Sequence, residues 1–203
     1  MNTNLKEKGV HHMKSEKEKM TAGEMYDPSD PELIKGRRDG HDRAQDFNRA
    51  DTDEERKRII IELFGTTGDS IKVEPTVRVD YGYNIHVEEN FYANFNCVFL
   101  DVCPIRFGKN AMLGPGVSVV TPEHPLTPEE RNSGYEFGRP VTVGDNCWIG
   151  ADATIVGGSV LGNNVVVAAG TVVNGDFPDN VVIGGVPARI IKDIPVNGKG
   201  LSS

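Results

Sequence analysis

Of the side chains in this sequence, the five histidines are the best suited to exchange a proton near neutral pH: His11, His12, His41, His86 and His124. His11 and His12 fall in a charged N-terminal stretch and read as solvated tail. The other three are scattered singles, without the fixed spacing by which three imidazoles hold zinc, so no metal is expected. His124 stands apart because it lies in TPEHPL, inside a proline-rich excursion over 121–140 that carries four prolines and two glycines. A long excursion inside a compact repeat is more often functional than not. A neutral imidazole on an anchored loop can take a proton from a hydroxyl, which is general-base chemistry. The three cysteines, Cys97, Cys103 and Cys147, lack zinc-ligand spacing. An odd number with no signal peptide reads as reduced thiols in a cytoplasmic protein.

A loop of this kind needs a rigid frame, and the frame is legible in residues 141–176. The chain there reads VTVGDN, CWIGAD, ATIVGG, SVLGNN, VVVAAG, TVVNGD. Val143, Ile149, Ile155, Leu161, Val167 and Val173 recur every six positions. Cys147, Ala153, Ser159, Val165 and Thr171, two places before the aliphatic in their blocks, are small or β-branched. A period of six matches neither a helix nor one uninterrupted strand, but it is the signature of a parallel β-helix. Three hexads make a triangular coil, and coils stack at about 4.8 Å. The aliphatic column fills the interior, and the small residue after most of its members (Gly144, Gly150, Gly162, Ala168) is expected to let the chain turn. The same phase runs through Val87, Ala93 and Phe99 and resumes at Phe107, Leu113 and Val119, with extra residues bulging near Asp101–Pro104. After Asp176 the chain is expected to leave the repeat and return for VVIGG (181–185).

The 203 residues divide into a leader over 1–14, a helical segment over 15–65, the β-helix over 66–192 and a tail over 193–203. The leader reads as disordered or as a cloning remnant, with Met13 as an alternative start. Ser15 with Glu18, Asp30 before Pro31, and Thr52 with Glu55 mark two or three short helices expected to pack on the coil. A net charge of −8 argues against a nucleic-acid surface, and no apolar run is long enough to span a bilayer.

Longer phrases carry a resemblance. KMTAGEMY, DYGYNIHV, NFYANFN, FLDVCPIRFG, TPEHPL, RNSG–EFGRPVTVGDNCWIG and GGVPARIIK, in this order from about Lys19 to Ile194, resemble the maltose and galactoside O-acetyltransferases. The resemblance implies a mainly β fold, a left-handed β-helix with a small N-terminal helical segment, and a homotrimer. It also implies acetyl-CoA in a cleft between subunits. His124 would deprotonate a sugar hydroxyl, the primary 6-hydroxyl of maltose or glucose, for direct attack on the thioester. The absence of a visible nucleophile–base pair agrees with direct attack. Asn94 would hold that hydroxyl near the imidazole, unless it stacks as a coil Asn. Tyr92 and Asp101 would face the acceptor, although Asp101 also suits a turn. Asp30 and Arg37 match acceptor contacts, although Asp30 equally suits a helix cap. Glu136 would orient His124 or face solvent.

On the cofactor side, the resemblance sets Trp148 against the pantetheine arm, the Ala151 N–H at the thioester carbonyl, and Ala169 along the cleft wall. Arg189 and Lys192 would supply positive charge for the CoA phosphates. One departure stands out: the family's V-T-K-D reads Val173-Asn174-Gly175-Asp176, which removes a lysine expected near the nucleotide end of CoA. Two other readings remain open. One is the same chemistry on another acceptor (a galactoside, a lipochitooligosaccharide or a hydroxylated xenobiotic). The other is a solenoid scaffold without catalysis, which has no use for a loop delivering a histidine.

Overall fold

The computed structural model describes residues 13–196; the leader read over 1–14, except its last two residues, and the tail beyond 196 lie outside the described residues, as do His11 and His12. From Ile71 onward the chain winds as a parallel β-helix with three faces, formed by one seven-stranded and two five-stranded sheets. The first face stacks Ile71–Val73, Phe91–Ala93, Met112–Leu113, Trp148–Ile149, Val166–Val167 and Val181–Gly185. The second runs from Val77–Val79 to Val172–Val173, and the third from Ile85–Val87 to Asp176–Phe177. Register is strict: Ile149 lies between Leu113 and Val167, and Ile155 between Val119 and Val173. All six members of the aliphatic column are buried, as are Cys147, Ala153, Ser159, Val165 and Thr171. Burying a Val, Leu or Ile side chain contributes about 1.5–3 kcal/mol, and stacking alone can close these faces against water.

Two expectations are corrected. The corners are not turned by the small residue after each aliphatic, which lies where successive coils nearly touch. The left-handed conformation belongs instead to Asn146, Asp152, Gly158, Asn164 and Gly170, again six residues apart. Asn and Asp tolerate this region because their short polar side chains bond locally. Their amides also stack: Asn90 donates to Asn110 and Asn110 to Asn146, each at 2.9 Å. Nor does the chain leave the coil after Asp176. Asp176–Phe177 pairs in parallel with Val160–Leu161, because a shortened corner after Val173 still returns Phe177 beside Leu161.

Both ends of the coil are closed. Ala188–Asp193 folds back antiparallel on Val181–Gly185. At the start lie helices α1 (Glu16–Thr21), α2 (Pro31–Arg49) and α3 (Asp53–Leu63). Ser15 and Glu18 form a reciprocal capping box on α1, Asp30 caps α2 ahead of Pro31, and Thr52 caps α3. Of the three, α2 is not short, at 19 residues. Phe47, Ile59, Ile60, Leu63 and Phe64 join the interior of the coil in one core. The Asn48 amide accepts from Val77 N at 2.8 Å and donates to Val77 O at 2.9 Å. It thus satisfies the open edge of the second face as a preceding strand would, which blunts edge pairing with another chain. No helix among the described residues is long and apolar enough to cross a membrane.

Candidate active site

Two clusters of the sequence-predicted residues emerge, on different parts of the molecule. The first surrounds His124. Pro122–Glu123 pairs antiparallel with Phe137–Gly138, and between them lies a short helix, α4 (Pro128–Arg131), capped by Thr127. The Thr121 hydroxyl bonds Leu100 O and accepts from Cys103 N, tying the loop's root to the coil. A third strip comes from the N-terminal segment: Tyr26 and Glu136 exchange both backbone hydrogen bonds as an antiparallel bridge. The excursion is therefore a small ribbon held at its base and along its edge.

On one face of that ribbon stand His124, Glu136 and Tyr26. The His124 side chain is 57% exposed, and its Nε2 lies 3.7 Å from Glu136 Oε2. That is within ion-pair reach once the ring is protonated. Glu136 Oε1 accepts a hydrogen bond from the Tyr26 hydroxyl. Tyr26 is fully buried, and burial first and the carboxylate second push its phenol far above the ordinary value. It therefore remains a donor throughout the working range of pH. Arg37 braces the strip from α2, donating to Pro28 O at 2.7 Å and to the Tyr81 hydroxyl at 2.8 Å. Burial raises the Tyr81 phenol to about 12, with Arg37 holding it down.

Asp101 does not face a pocket. It is fully buried and turned inward, accepting from the backbone N–H groups of Asp80, Tyr81 and Asn84 at 2.9–3.2 Å. The bulge re-aims this carboxylate at a turn, and the turn in turn carries Tyr81 to Arg37. Asp30 uses one carboxylate oxygen on the Glu32 N–H, as a helix cap.

The second cluster lies along the first face. Tyr92, Asn94, Trp148, Ala151 and Ala169 line one groove of about 500 Å³, floored by glycine, alanine and valine. Residues distant in sequence meet there because each lies on, or within two residues of, a strand of the same sheet: Tyr92 lies beside Met112, and Met112 beside Trp148. Trp148 is 53% exposed and Met112 49%, so the wall of the groove is apolar and open. Asn94 Oδ1 accepts from Phe95 N at 2.8 Å, which fixes its amide at the corner of the coil. Arg189 and Lys192 are exposed on the last strand of this face, opposite Gly184 and Val182. No residue of the 121–140 ribbon lines the groove. A single chain therefore presents the imidazole and the groove separately.

Comparison with known proteins decides what such a pair of surfaces belongs to. The family model described as maltose acetyltransferase hexapeptide capping motif matches residues 19–68, and that described as bacterial transferase hexapeptide (six repeats) matches residues 140–175. A putative acetyltransferase of Dictyostelium discoideum is 57% identical over 185 residues, covering 91% of this chain and 97% of its own length. A maltose O-acetyltransferase of Clostridium difficile 630, of known structure, is 48% identical with a TM-score of 0.88, covering 90% of this chain and 98% of that one. A galactoside acetyltransferase solved in complex with coenzyme A is 35% identical with a TM-score of 0.87, covering 93% and 96%. This chain belongs to the maltose/galactoside acetyltransferase family.

Within this acetyltransferase, the departure at Gly175 coincides with an unusual backbone conformation. Gly175 sits at φ 121, a conformation that side-chain-bearing residues rarely adopt, so a lysine there would be strained. Sequence reasoning missed Tyr26 and Tyr81. The only signal for either was membership of the phrases KMTAGEMY and DYGYNIHV, which says nothing of their partners. Among the described residues, no three His, Cys, Asp or Glu side chains converge as a metal site requires.

Proposed function

We propose that the protein transfers an acetyl group from acetyl-CoA to a sugar hydroxyl, the primary 6-hydroxyl of an acceptor such as maltose or glucose, with His124 as general base. The observation that carries this reading is an exposed imidazole facing a carboxylate on a braced ribbon. As His124 removes the hydroxyl proton, the oxygen attacks the thioester carbonyl and the Glu136 carboxylate stabilises the imidazolium that forms. Collapse of the tetrahedral intermediate expels the CoA thiolate, which takes the proton back from His124 and leaves the acetyl ester. A positioned base of this kind contributes about 10²–10⁴-fold.

The groove of the first face suits a thin, partly apolar arm such as pantetheine, with Trp148 as its wall. Ala151 would offer its N–H to the developing oxyanion, which is usually a large catalytic term. Ala169 would line the arm, and Arg189 and Lys192 would meet the phosphates. Asn94 and Tyr92, at one end of the groove, would hold the acceptor hydroxyl. Arg37 and Asp30 would border the acceptor, and Asp101 would act from behind by fixing the turn that carries Tyr81. The separation of imidazole and groove on one chain supports a site completed between neighbouring copies, and the family resemblance gives their number as three, a homotrimer.

The test is acetyl-CoA turnover with glucose, maltose and isopropyl-thiogalactoside, for wild type and His124→Ala. Sugar-stimulated CoA release that the alanine variant abolishes is the expected result. Full rate in that variant overturns the base assignment, and no stimulation by any sugar overturns the acceptor class. A sedimentation measurement giving a fully active monomer overturns the shared site.

A further inference from the structure

The reading of His124 as base leaves the buried Tyr26 hydroxyl without a role. Tyr26 is completely buried, yet carries a hydroxyl, and a buried hydroxyl costs free energy unless it is bonded. Phenylalanine would fill the same space without that requirement. The hydroxyl bonds the carboxylate that, among the described residues, faces the imidazole. Tyr26 in fact grips Glu136 twice: its main chain exchanges two hydrogen bonds with the Glu136 main chain, and its side chain holds one carboxylate oxygen. The other oxygen is left directed at His124 Nε2. The Glu136 side chain is only 17% exposed, but without the phenol's bond its carboxylate would be free to change rotamer.

The strip carrying Tyr26 is itself fixed. Arg37 holds Pro28 O and the Tyr81 hydroxyl, and Tyr81 belongs to the turn anchored by Asp101. Tyr26 packs with Met20, Leu33, Tyr81 and Val102 in a small core separate from the interior of the coil.

We propose that Tyr26 is a positioning residue for the reaction: its hydroxyl locks the Glu136 carboxylate against the His124 imidazole, so that the N-terminal helical segment completes the base. This rests on the assignment of His124 above. It gives the helical segment a catalytic duty as well as that of closing the coil.

The experiment is a double-mutant cycle of Tyr26→Phe and Glu136→Gln, read as kcat and KM for both substrates together with the thermal midpoint. Tyr26→Phe is expected to lower kcat about tenfold while each KM stays within about twofold, the pattern of an interaction strengthened in the transition state. In the Glu136→Gln background the same change is expected to cost nothing further, because residues acting as a unit are not additive. Undiminished kcat in Tyr26→Phe overturns the proposal, as does a loss that persists in full beside Glu136→Gln, or a loss confined to KM. Undiminished kcat in Glu136→Gln alone also overturns it, which keeps the test decisive if Tyr26→Phe folds poorly. If the wild type is inactive or His124→Ala retains full rate, the assignment of the base has failed instead. The crystal structure of Tyr26→Phe then reads the positioning by itself. A carboxylate swung away from His124 supports the lock, and one still in place overturns it.

Discussion

Ile149 and His124 are both held by residues remote in sequence, but in different ways. Ile149 lies between Leu113 and Val167, and each of these is one more aliphatic residue on the same face with the same kind of neighbours. His124 depends on Glu136, Glu136 on Tyr26, and the strip carrying Tyr26 on Arg37 and Tyr81, with no repeated partner in the set. The coil gains stability by adding equivalent rungs, so loss at one rung is shared with its neighbours. The ribbon gains geometry from a chain of distinct contacts, so loss of one link releases the next. A stable frame can thus be built from a few residue types, whereas the surroundings of the loop histidine need particular ones.

Four substitutions break or sharpen this contrast. His124→Ala is expected to lower kcat by about 10²–10⁴-fold while leaving the thermal midpoint unchanged, since the side chain is 57% exposed. A parallel fall in melting temperature would mean that the histidine belongs to the frame. Ile149→Ala should do the reverse. A cavity at a fully buried position costs about 2–5 kcal/mol, visible in denaturant unfolding, with the rate per folded molecule preserved. If the rate fell with stability, frame and site would not be separable. Trp148→Ala lies between the two: the KM for acetyl-CoA is expected to rise about tenfold, with kcat and melting hardly moved, because the ring is half exposed on the groove wall. An unchanged KM would remove the groove from the cofactor's path. The smallest effect is expected of Gly175→Ala, at about 1 kcal/mol, or roughly 2–4 °C in calorimetry. No measurable change there would mean that the left-handed backbone is not what excludes the lysine.

The amino-acid sequence by itself determined the interior of the coil. A side chain every six residues must point to a common axis, and only aliphatics at those positions can close three faces against water. It also determined the helix starts, because Ser15, Asp30 and Thr52 bond backbone groups within a few residues of themselves. The corners were only half legible: the six-residue rhythm of turning was visible, but the left-handed backbone two residues beyond the expected position and the stacking of one coil's Asn on the next were not. Tertiary structure alone decided what stands behind the Glu136 carboxylate that faces His124. Tyr26 and Glu136 are 110 residues apart, and nothing periodic relates them. Their meeting follows from where α2 closes the coil and where the ribbon leaves it. The inward turn of Asp101 was hidden for the same reason. A carboxylate's partners are set by which backbone N–H groups a bend happens to leave unpaired, and that is known only once the chain has closed on itself.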